Sequence, residues 1–167
     1  MIEIIEPQEI DVIKDFGINR RHLKIYVFTK DKSNMSSFYE ELFNCIDKDW
    51  PIYFCYIDKL NYSKWKQQMF YRSDAAILDL ESLVDGNDIQ LLFEAGMIAG
   101  SIKKLFIKEA DGYKTLVDKY IEKVLVGRLH EVLNSQDLAR EFANWASDYL
   151  VESKTITSSI ALRAGVR

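Results

Sequence analysis

Short apolar runs alternate along this chain with stretches in which apolar residues recur every three or four positions. The runs are Leu23–Thr29, Ile52–Ile57, Ala75–Leu80, Leu105–Ile107 and Leu129–Leu133. They are too short for buried helices and mostly rich in β-branched or aromatic residues, so each is read as a strand. The intervening stretches carry the helical period. Phe38, Leu42, Phe43 and Ile46 follow the capping candidates Ser33 and Asn34, and Trp65, Met69 and Phe70 follow Ser63. Asp88 opens a helix that runs through Gly100. Leu116, Tyr120, Ile121 and Val124 mark a helix over residues 113–126, closed by Gly127. Ser135 caps a last helix with Leu138, Phe142, Trp145, Tyr149 and Leu150 on one stripe.

Strands that alternate with helices pair in parallel through right-handed crossovers. Strand cores that are apolar without interruption are covered on both faces. The pattern predicts an α/β fold: a flavodoxin-like three-layer sandwich around a five-stranded parallel sheet of order 2-1-3-4-5. In that order the chain reverses its direction of growth between the first and third strands, where such folds leave a crevice. Residues 23–152 form the domain. Residues 1–22 are an extension expected to add a helix or an edge strand. Residues 153–167 hold no acid and no strong helical pattern, and are expected to be a tail or an arm.

Composition narrows the function more than the fold. The 167 residues are 48% hydrophobic, ample for one packed core. A formal charge of −4 gives no electrostatic case for nucleic-acid binding. Cys45 and Cys55 stand on different elements and outside any C-x-x-C pair, which predicts free thiols in a reducing cytoplasm, with no metal site and no cofactor. No apolar run approaches the roughly 20 residues of a membrane span.

The candidate chemistry lies between residues 74 and 108. Asp79 ends the third strand, Asp88 stands at the start of the following helix, and Glu94 lies in its second turn. The carboxyl ends of the strands are where an open α/β sheet holds its ligand. A carboxylate kept ionised near a helix start can attack an electron-poor carbon or stabilise positive charge developing there. Gly96 and Gly100, with Ala95 and Ala99, give that helix a thin face for close packing on the sheet.

Tyr26 in the first strand, Asp79 ending the third, and Asp88-x5-Glu94-x-Gly96-x-x-Ala99-Gly100 together resemble the nucleoside 2-deoxyribosyltransferase family and its relatives that hydrolyse deoxynucleoside monophosphates. The resemblance covers about half the chain, chiefly residues 23–30 and 74–108. It implies that Glu94 is the nucleophile at the anomeric carbon. By the same resemblance Asp79 and Asp88 engage the base or assist proton transfer, and Tyr26 positions the glutamate. Substrate would lie beside the loop that carries Thr29, Lys30 and Ser33. This loop has no glycine, unlike the family's, so the resemblance implies a differently shaped pocket.

The first strand and helix, Lys24–Thr29 and Phe38–Leu42, are also similar to Toll/interleukin-receptor-like domains, some of which cleave NAD. The expected ligand is therefore a nucleoside, a nucleotide or NAD, handled by N-glycosidic bond cleavage or transfer. The alternatives are a NAD-cleaving or signalling domain and a non-catalytic nucleotide-binding module. The family completes its sites across subunits, so the resemblance leaves a homo-oligomer open.

Overall fold

The structure is a computed structural model that describes residues 2–5, 22–46, 49–56, 72–83, 96–97, 104–109 and 132–163. The strands are β1 (Ile2–Ile5), β2 (Leu23–Phe28), β3 (Ile52–Tyr56), β4 (Ala75–Asp79), β5 (Leu105–Lys108) and β6 (Val132–Leu133). They form one sheet in the order β1-β3-β2-β4-β5-β6, and every pair is parallel. The five strands from β2 to β6 follow the predicted 2-1-3-4-5 order. β1 joins them as an outer strand, Ile2 opposite Ile52, so residues 2–5 of the extension contribute an edge strand.

All residues of β3, β4 and β5 are buried, as their unbroken apolar sequences require. Successive side chains of a strand point to opposite faces. Ile25, Val27, Phe54, Ile77 and Phe106 join one core with Phe38 and Leu42 of helix α1 (Ser36–Cys45) and Leu138 and Phe142 of helix α2 (Ser135–Arg163). Both helices thus pack on the same face of the sheet. The helices expected over residues 88–100 and 113–126 lie outside the described residues, apart from Gly96 and Met97, which are helical.

The helix starts differ in detail from the sequence expectation. α1 is led in by a 3-10 turn (Lys32–Met35) whose cap is Asp31: its carboxylate accepts the Ser33 N–H at 2.8 Å. α2 is capped by Asn134, whose Oδ1 accepts the Asp137 N–H at 2.9 Å, and Ser135 becomes the first helical residue. In both cases a longer acceptor one to three residues upstream reaches the free N–H groups of the first turn. α2 also continues to Arg163, so residues 153–163 of the predicted tail are helical.

At the amino end of the sheet, Asp74 ties α2 to the strands. Its carboxylate accepts the Lys24 N–H at 2.8 Å and the Tyr149 hydroxyl at 2.7 Å. At the other end Tyr56 donates its hydroxyl proton to Tyr39, and both rings are buried. Burial pushes Tyr39 up and Tyr56 up to about 12, and it raises the buried Cys55 thiol to about 12 as well.

These shifts predict alkaline sensitivity. Between the ordinary values of 9 to 10 and the raised ones, the folded state holds protons that the unfolded state has lost. Stability should be flat from pH 7 to about 9 and then fall, by up to about 1.4 kcal/mol per pH unit for each such group. Urea unfolding as a function of pH measures it, and Cys55→Ser with Tyr56→Phe should flatten the decline. A midpoint unchanged at pH 11 would show that these groups are not held protonated.

Candidate functional site

β2, β4 and β5 end side by side in register, with Asp79 opposite Lys108 across the β4–β5 pair. Strand alternation puts both side chains on the α1–α2 face, two residues beyond the core residues Ile77 and Phe106. Thr29, two residues beyond Val27, follows on the same side.

Asp79 is fully buried. Its Oδ2 accepts from Asn34 Nδ2 at 3.0 Å and has the hydroxyls of Thr29 and Ser82 at 2.8 and 3.1 Å. Its Oδ1 receives the Glu81 N–H at 3.3 Å and the Lys108 ammonium at 3.3 Å. The two hydroxyl protons are shared. Thr29 Oγ1 is also 2.8 Å from the Asp31 carbonyl, and Ser82 Oγ is 3.3 Å from Thr29 Oγ1. The Lys30 N–H completes the group by donating to Ser82 Oγ at 2.6 Å. A carboxylate offers about four lone-pair positions, and this one has five donors within reach. It therefore organises the loops after β2 and β4 around a fixed negative charge.

Lys108 is the buried cation of the site. A lysine is seldom buried unless it is paired. Here the ammonium meets Asp79, reaches Glu81 Oε2 at 3.5 Å and lies 3.5 Å from the Glu109 carbonyl.

A cavity of about 370 Å³ opens beside this ion pair at the carboxyl edge of the sheet. Ser33, Asn34 and Ser37 approach it from the lead into α1, and Glu81 from the turn after β4. The end of β5 supplies Lys108 and Glu109, and the start of α2 supplies Asn134 and Ser135. The volume is at the small end of the range for small-molecule sites.

The structure brings some of the sequence candidates together and separates others. Asp79, Thr29 and the backbone of Lys30 meet in one hydrogen-bonded cluster, and Ser33 lines the cavity. Tyr26 is buried in β2 between Ile25 and Val27, which both face the α1–α2 core, so its ring projects from the opposite face. The sheet itself stands between Tyr26 and Asp79. Asp88 and Glu94 lie outside the described residues.

Lys108 and Ser82 do not stand out in the sequence, and Asn34 stands out there only as a helix-cap candidate. The available signal was a lysine closing an otherwise apolar strand, at the same level of the sheet as an aspartate closing its neighbour. Among the described residues no three His, Cys, Asp or Glu side chains are grouped to hold a metal ion. Nor is any helix among them long and apolar enough to cross a membrane. No protein-family model, curated protein or solved structure matches this chain.

Proposed function

We propose that this chain binds a nucleoside or nucleotide at the carboxyl edge of the sheet and breaks or exchanges its N-glycosidic bond. The observation that carries the reading is the polar cavity beside the buried Asp79–Lys108 pair, at the carboxyl ends of the strands and bordered by the segments that follow β2 and β4, the neighbouring strands from which the sheet grows in opposite directions. Open parallel sheets bind ligands at this kind of switch point.

In this reading Glu94 supplies the central carboxylate. It attacks the anomeric carbon as the bond to the base nitrogen breaks, through an oxocarbenium-like state. The base leaves with the bonding electron pair and takes a proton, for which Asp88 is the proposed donor. Water, or a second base, then attacks the same carbon and frees the glutamate. Asp79 is a positioning residue, because its oxygens are engaged by Asn34, Glu81 and Lys108. Tyr26 acts from the opposite face of the sheet. The proposed setting is a reducing cytoplasm, in keeping with the free thiols of Cys45 and Cys55.

The test is release of free base from deoxynucleosides and deoxynucleoside monophosphates, with NAD as a further arm. Glu94→Ala should reduce release by ~10³-fold or more while the circular dichroism spectrum and urea midpoint stay as in the wild type. Release of nicotinamide alone would move the reading to NAD cleavage. Ligand binding without turnover, unaffected by Glu94→Ala, would leave a nucleotide-binding module and remove the enzyme.

A further inference from the structure

The lining of the cavity carries information about which part of a ligand it takes. Among the described residues every side chain that borders it is polar, with no aromatic or aliphatic wall. A purine or pyrimidine ring is ordinarily held between apolar or aromatic surfaces. The base of a nucleoside has no such partner here.

Phosphate is disfavoured for a different reason. Among the described residues the border holds two carboxylates, Glu81 and Glu109, against one ammonium, that of Lys108. That ammonium is already matched by the fully buried Asp79 at 3.3 Å and by Glu81 at 3.5 Å. An entering dianion would meet a net negative wall. The two helix starts nearby do not reverse this. The first turn of α2 already directs the Asp137 N–H to Asn134 Oδ1, and it carries the Asp137 carboxylate. The turn leading into α1 has its N–H taken by Asp31, whose carboxyl is held below its ordinary value mainly by that Ser33 N–H.

What remains on the wall is a mixture of donors and acceptors: the hydroxyls of Ser33, Ser37 and Ser135, the amides of Asn34 and Asn134, and the two glutamates. A hydroxyl group both donates and accepts. Several hydroxyls on one small ring would match this mixture with no net charge to neutralise. We infer that the cavity is a subsite for an uncharged, hydroxyl-bearing sugar ring and that it rejects phosphate, the charge of its wall setting the choice. The inference rests on the proposed nucleoside function, and it makes the unphosphorylated nucleoside the preferred ligand.

The experiment is a nuclear magnetic resonance titration of the full chain, reading the backbone amides of Ser33, Asn34, Asn134 and Ser135. The probes are methyl β-D-ribofuranoside and inorganic phosphate. The glycoside should move these amides in a saturable way, and phosphate should not move them at the same concentrations. Glu109→Gln removes an exposed charge and leaves the buried pair intact, so it should keep the fold and raise phosphate affinity by about tenfold. Phosphate that moves the amides at lower concentration than the glycoside overturns the inference, as does a glycoside that moves none of them. Glycoside binding without base release in the turnover assay would remove the enzymatic reading and keep the subsite. Turnover that prefers monophosphates, with phosphate on these amides, would do the reverse.

Discussion

Asp79→Ala is expected to destabilise the fold by about 3–5 kcal/mol, because it leaves the buried Lys108 ammonium without its main counter-charge. Among the described residues, the half-exposed Glu81 and the Glu109 carbonyl, each 3.5 Å away, would remain to it. Asn34 and the Glu81 N–H would lose their acceptor in the same step. Lys108→Met alone should cost a comparable amount by leaving the carboxylate uncompensated. The double variant Asp79→Leu/Lys108→Met should recover much of the loss, since replacing a buried pair with apolar groups is often close to neutral. Urea unfolding of the wild type, Asp79→Leu, Lys108→Met and the double gives the coupling directly. Single costs that add within about 0.5 kcal/mol would mean the two charges do not depend on each other.

The second large effect is expected at Phe142. Its ring is fully buried and sits among four others: Phe54, Phe106 and Trp145 at 5.4, 5.5 and 5.7 Å between centroids, and Phe38 at 6.0 Å. It is the place where α2 meets both α1 and the middle of the sheet. Phe142→Ala should cost about 3–5 kcal/mol, from lost transfer energy and from a cavity that the surrounding rings, fixed on four different elements, cannot close. Phe142→Leu keeps most of the volume and should cost clearly less. The urea midpoint should drop while the slope of the transition is preserved. A loss below about 1 kcal/mol for Phe142→Ala would show that the layer collapses freely, contrary to the packing described.

These two sites also show what sequence could and could not reveal. Phe142 was legible because α2 has a solvent side, so its apolar residues stand out at helical spacing. The central strands β3, β4 and β5 were legible for the opposite reason: burial on both faces leaves no polar alternation, and their sequences read as apolar runs. The same property hid the direction of Tyr26. Where Lys24 is followed by four consecutive apolar positions, nothing in the pattern says which of them look toward α1, and placing Tyr26 beside Asp79 was as consistent with the sequence as placing it behind the sheet. Asp79 itself stood out as an acid at the end of an apolar run, shortly ahead of the acids Asp88 and Glu94. Lys108 was hidden because a lysine after Leu105–Ile107 reads as an ordinary solvated strand end. Its burial follows only from register, which brings it level with Asp79, and register depends on contacts between segments far apart in the chain.

The parallel arrangement also separates the order in which the strands are made from the order in which they can join. Ile2 finds its place against Ile52, so at 5–20 residues per second β1 leaves the ribosome roughly 2–10 s before β3. β3 in turn rests on β2 and so connects β1 to the middle of the sheet. For that interval an Ile-Glu-Ile-Ile segment travels with no neighbour to accept its hydrogen bonds. The nascent chain must therefore grow its sheet outward from β2, with β1 joining only after β3 has been made.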